Sequence, residues 1–151
     1  LDRGKLAYSY ALHLAKNGRD AEAAAQLRIA DDLFSTNDYP LALTIADVRQ
    51  ARAALAMRRG DFSAALLLLA QSSERLRGRV PADSPRIFLL DWYERLARAG
   101  LEGTRPSMNL LPKLQAGKAV GKIPEGVLKE LRLWSEKPGD FQWSALPVIQ
   151  I

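Results

Sequence analysis

The sequence contains no cysteine. That absence excludes disulfides, thiolate metal sites and cysteine nucleophiles together. It leaves the compartment open, with the cytoplasm the default and the periplasm the alternative. Histidine is almost as scarce: His13 stands alone, between Leu12 and Leu14. One imidazole without thiolates makes a zinc site only where carboxylates supply the other ligands, so His13 reads as a structural or exposed residue. No metal and no cofactor is expected. Long apolar runs are missing too, and nothing approaches the ~18 residues of a membrane-spanning helix. No Gly-x-Ser-x-Gly elbow is present. The segment Gly117-Lys118-Ala119-Val120-Gly121-Lys122-Ile123 has one residue too few between its glycines for a phosphate loop, and Ile follows its second Lys where Ser or Thr is required. Asp31-Asp32 is an adjacent acidic pair. Neighbours on a helix point ~100° apart, which is poor geometry for sharing a proton or a metal. Nothing assembles a nucleophile, a base and an oxyanion donor. The sequence does not predict an enzyme.

What is present is ordinary globular material. At 151 residues the expectation is one domain with a real core. A chain that is 48% hydrophobic and 26% charged is not disordered throughout. The net charge of +5 is spread: 11 basic and 9 acidic residues precede Gly78, and 11 and 8 follow it. Such an excess favours acidic partners and is too weak to indicate nucleic acid. The first residues, Leu1-Asp2-Arg3-Gly4-Lys5, include no initiator Met and do not resemble a signal peptide. They suggest a piece of something larger.

Helical periodicity dominates the first hundred residues. Leu6, Tyr10 and Leu14 mark a helix over 4–17 that ends at Asn17-Gly18. Asp20 is placed to cap a second helix, with Ala23, Leu27, Ala30 and Phe34 on its stripe. A third runs from about Tyr39 to Arg59, with Pro40 in its first turn. Then comes the elbow Gly60-Asp61: a glycine past one helix, an N-cap for the next. Phe62, Ala65, Leu66, Leu69, Ser73 and Leu76 form the stripe of a fourth helix, and Leu67 and Leu68 predict a second covered face. Ser84-Pro85 opens a fifth helix bearing Leu89, Trp92 and Leu96, with Phe88 and Tyr93 flanking and Gly100 as its terminator.

The expected terminators Gly18, Gly60 and Gly100 recur at a spacing near 40, the signature of an α-solenoid of helical hairpins. Asn17-Gly18-Arg19-Asp20-Ala21-Glu22-Ala23 and Gly60-Asp61-Phe62-Ser63-Ala64-Ala65 resemble the turn and second helix of a tetratricopeptide (TPR) repeat. The family's period is about 34, so the resemblance is to its long-repeat variants. Arg49 and Arg52 also stand where a first helix normally places large core residues. The resemblance spans about residues 4–100. It implies an all-α fold: about two and a half TPR-like hairpin repeats over residues 1–100, then residues 101–151 as a C-terminal helical cap with an extended tail. The alternative is that 101–151 begins a further domain. In that last part Pro124 is expected to open a helix reaching about Glu136, with Val127, Leu128, Leu131 and Trp134 inward.

The family's first helices line the concave face, which implies a site at Asp47, Arg49, Gln50, Arg52, Ala54, Met57 and Arg58. Guanidinium groups hold carboxylates through paired hydrogen bonds, so the implied partner is a protein or peptide segment of acidic character. The plain alternative makes Arg49, Arg52 and Arg59 a solvated face. A second basic surface is offered by Arg105, Lys113, Lys118 and Lys122, with no acid between Gly103 and Pro124. Trp92 and Trp134 lie on apolar faces and read as core; Phe141 and Trp143 are candidates to dock the tail on the repeats or on a partner. The apolar end Val148-Ile149-Gln150-Ile151 would otherwise favour self-association. The expected function is non-catalytic protein–protein interaction. The alternative is an effector or regulatory domain of a larger signalling or transcription regulator, sensing a small molecule or another domain.

Overall fold

A computed structural model describes residues 2–36, 42–104, 125–135 and 142–149. Those residues form an all-α fold: α1 (Asp2–Lys16), α2 (Asp20–Ser35), α3 (Ala42–Arg58), α4 (Phe62–Leu76), α5 (Pro85–Glu102) and α6 (Glu125–Ser135), followed by a 3-10 turn at Trp143–Ala145. Tyr39, Pro40, the basic window 105–124 and the last two residues lie outside the described residues.

Three helices stop in the same way. Past α1, the amide of Gly18 donates to Ala15 O and that of Arg19 to Leu14 O (3.2 and 2.9 Å). Past α3, Gly60 donates to Met57 O and Asp61 to Ala56 O (3.0 and 2.9 Å). Past α5, Gly103 donates to Gly100 O and Thr104 to Ala99 O (3.1 and 2.9 Å). Each is a Schellman cap closed by a glycine at positive φ: 73°, 83° and 73°. The terminators are thus 42 and 43 residues apart.

The third one corrects the sequence expectation. Gly100 lies inside α5 and does not end it. A Cβ there would lie 2.2 Å from Cε1 of Phe62, so this glycine serves the close approach of α4 and α5. Asp61 caps α4 as expected, accepting from the Ala64 amide at 3.1 Å. Ser84 caps α5, accepting from Arg86 N at 3.3 Å, with Pro85 in the first turn. Asp20 does not cap α2. It is the first helical residue, Arg19 holds the cap position without a side-chain bond, and the Asp20 carboxylate is engaged elsewhere.

Two apolar cores meet at α3. One gathers Ala11, Leu14, Ala23, Leu27, Ala30 and Phe34 of the first hairpin against Ile45, Val48, Ala51 and Leu55. The other gathers Ala46, Ala53, Ala54, Ala56 and Met57 of α3 with α4, α5, α6 and residues 146 and 149. Eleven of the 17 residues of α3 are buried, so the helix covered on both sides is α3 and not α4. Of the second covered face expected on α4, Leu68 is half-buried against the core, whereas Leu67 remains 64% exposed among the described residues. Small side chains suit a central helix: six of those eleven are alanines, whose short reach lets neighbours approach. Ser72, buried in α4, settles its hydroxyl on Ala46 O at 2.9 Å.

Trp92 and Trp134 are core residues, packed edge to face with centroids 5.9 Å apart. Leu131 is fully buried and Val127 half-buried, as the α6 stripe requires. None of the helices is long and apolar enough to cross a membrane, among the described residues.

Candidate functional site

The C-terminal segment 142–149 lies against α1, α3 and α5 and is held there by its backbone. Arg58, at the end of α3, donates from Nε to Leu146 O at 2.7 Å. Its Nη1 donates to Ala15 O at the end of α1 (3.0 Å) and to Asp20 Oδ1 of α2 (2.9 Å). One guanidinium thereby ties two helix ends to the segment, with only 9% of its side chain exposed. A cation at the C-terminus of α1 also meets the negative end of that helix dipole.

Tyr93 of α5 supplies the second fixing point. Its hydroxyl donates to Pro147 O at 2.7 Å and accepts from the Ile149 amide at 3.3 Å. Burial drives the phenol far above its ordinary value, and the Ile149 amide only partly offsets that. The hydroxyl therefore keeps its proton and remains a donor throughout the physiological range. Leu146 and Ile149 enter the core, and Val148 touches both cores. Trp143 packs on Phe62 at 4.7 Å and lies 6.0 Å from Trp134, whose indole donates to Gln142 O at 3.1 Å. Trp143 thus docks the segment on the helices. Val148 and Ile149, part of the apolar stretch that would favour self-association if exposed, are engaged within the chain.

The residues singled out on α3 fall into three groups. Ala54 and Met57 are fully buried and Gln50 is 7% exposed, so they offer a ligand no surface. A helix buried on both sides turns those positions into core, which corrects the expectation drawn from the family's concave face. Arg49 and Arg52 both bind Asp31 of α2, Arg52 at 2.6 Å and Arg49 through two 3.4 Å contacts, while Ser35 adds a third donor at 3.0 Å. Burial pushes the Asp31 carboxyl up; these hydrogen bonds together outweigh it and hold the group below its ordinary value. Asp47 pairs with Arg86 of α5 at 2.5 Å, and burial leaves its carboxyl above the usual value despite that partner. Arg58 hydrogen-bonds to segment 142–149, and Ala54 and Met57 share the buried cluster of Leu146 and Ile149.

Sequence reading missed Tyr93, Ala15, Leu146 and Pro147 as contributors. A tyrosine on an apolar stripe does carry a signal, since a buried phenol requires a hydrogen-bond partner. Which partner it takes, 54 residues away, is not written locally.

A cleft of about 290 Å³ opens beside the segment, between its backbone and the end of α1. Lys16, Arg58, Glu130 and Ser144 bring polar groups to it, and Ala15, Pro147 and Val148 supply apolar wall. His13 is exposed, 3.3 Å from the Asn17 amide nitrogen. Among the described residues, no cluster of three or more His, Asp or Glu side chains has the arrangement to hold a metal. No protein-family model matches the chain, and neither a curated protein nor a solved structure does.

Proposed function

We propose that the chain is a non-catalytic interaction module, a TPR-like α-solenoid of helical hairpins that binds an extended protein segment across α1, α3 and α5. The observation that carries this reading is the way segment 142–149 is held: carbonyls of consecutive residues accept from Arg58 and Tyr93, an amide returns to Tyr93, and Leu146 and Ile149 fill the core. Main-chain bonds supply affinity for extended backbone, and pockets for particular side chains supply preference. The repeat reading draws support from the three glycine caps at 42 and 43 residues. Residues 142–149 occupy the face as a cap, and a partner segment of the pattern Leu-Pro-x-Ile competes for the same place.

Competition sets the test. In the full chain, Leu146→Asp with Ile149→Asp loosens the resident segment, since carboxylates do not enter an apolar core unpaired. An array of extended peptides should then capture the double variant more strongly than the parent, with spots bearing Leu-Pro-x-Ile the strongest. Equal, pattern-independent capture of both chains would sink the proposal. A second reading, an effector domain sensing a small molecule, is favoured by the cleft beside the segment and its four converging polar residues. Its mark would be a metabolite that raises the melting temperature and loses that effect in Lys16→Ala.

A further inference from the structure

The groove on the α2–α3–α4 side carries more positive charge than the acids paired with it offset: Arg28, Arg49, Arg52 and Arg59 stand against Asp31 and Asp61. It is lined by Arg52 and Leu55 of α3, Arg59 just past that helix, Ala24 and Arg28 of α2, and Leu68 of α4. Three guanidinium groups line a hollow of about 30 Å³, and no acid is among the described lining residues. Arg52 shares Asp31 with Arg49. Arg59 lies 3.8 Å from Asp61, with about half of its side chain exposed. Arg28 makes no hydrogen bond or ion pair with any described residue. Asp31 and Asp61 offset part of this charge, and a further anion among the three guanidinium groups relieves the repulsion that is left.

We infer that this groove docks an acidic protein segment, seating one carboxylate among Arg28, Arg52 and Arg59 with an adjacent apolar side chain on Leu55 and Leu68. The hollow is the size of a single carboxylate head, and arginine forks grip carboxylates with paired donors. The apolar residues beside the charges select a peptide over a free ion. The inference extends the reading of the chain as an interaction module to a second face. Its lining shares no residue with the cleft beside segment 142–149, so either surface can fail alone.

The test titrates the full chain with a fluorescein-labelled, amidated peptide, Ala-Glu-Glu-Leu-Glu-Ala, at low salt. The expected result is saturable binding, weakened about fivefold to tenfold by Arg28→Ala and by Arg59→Ala. Arg3→Ala and Arg95→Ala, exposed arginines elsewhere, should leave it unchanged. The Gln-Gln-Leu-Gln counterpart should not bind. Arg28 and Arg59 are exposed, so both variants should keep the parent's melting curve, which circular dichroism checks. Equal weakening by the control arginines would overturn the site, as would absence of binding. Displacement of the peptide by an equal concentration of inorganic phosphate would also overturn it, in favour of a free-anion site.

Discussion

Asp31 neutralises two arginines of a buried helix, and its loss should be felt in proportion. Asp31→Asn leaves Arg49 and Arg52 facing an amide, with side chains only 17% and 27% exposed. Breaking a fully buried pair costs about 3–5 kcal/mol; with this much access to water, about 2 kcal/mol is expected in urea unfolding at pH 7. The pH dependence has a definite sign. The Asp31 carboxyl is held below its unfolded value, so its contribution is complete above that value, ~4, and is lost as pH falls through the lower folded one. Asp47, shifted upward, acts in the opposite direction. Unfolding free energies at pH 7, 5 and 3 should therefore fall less steeply in the variant than in the parent. At Tyr93 the loss is local. Tyr93→Phe removes two hydrogen bonds at once, and amide exchange at Ile149 should quicken about tenfold or more while the amides of α3 keep their protection.

Among the elements, the ends of helices were the most legible part of the chain. Gly60-Asp61 and Ser84-Pro85 carry their stop and start signals within a few residues, and the structure realises both. Gly100 shows where such reasoning stops: an inward-facing glycine and a terminating glycine look alike in sequence, and only Phe62, 38 residues away, distinguishes them. The two roles separate under substitution. Gly100→Ala drives a methyl into the Phe62 ring, and overpacking of this kind costs about 1–3 kcal/mol. Combining it with Phe62→Leu should recover part of that loss. Gly103→Ala meets no neighbour within 4 Å and pays only for its positive φ, about 1 kcal/mol, which Phe62→Leu should not relieve. Urea unfolding of the double variants separates the two. The face of the Leu-rich helix was misjudged for a similar reason: Leu67 is apolar by composition, but covering it would take a further element.

For the whole molecule, hydrophobic periodicity predicted an all-α chain, and the described residues are one. Pairings across the chain were illegible, because no local pattern says that Arg58 meets Leu146 or that Arg86 meets Asp47. For the candidate site the consequence was large. Of the seven residues on α3, Gln50, Ala54 and Met57 are core, and Arg58 engages segment 142–149 through a backbone carbonyl. Residues 142–149 are joined to the helices by main-chain hydrogen bonds as well as by Trp143, Leu146 and Ile149, and the main-chain part is what side-chain patterns in a sequence do not reveal. The most direct measurement is the affinity of a fluorescein-labelled peptide, Gln-Trp-Ser-Ala-Leu-Pro-Val-Ile, for the full chain carrying Leu146→Asp and Ile149→Asp. The account predicts saturable binding that falls about tenfold when Tyr93→Phe is added, and much weaker binding to the parent chain, whose face is already filled. Binding indifferent to Tyr93, or equal in the parent and the double variant, would contradict it.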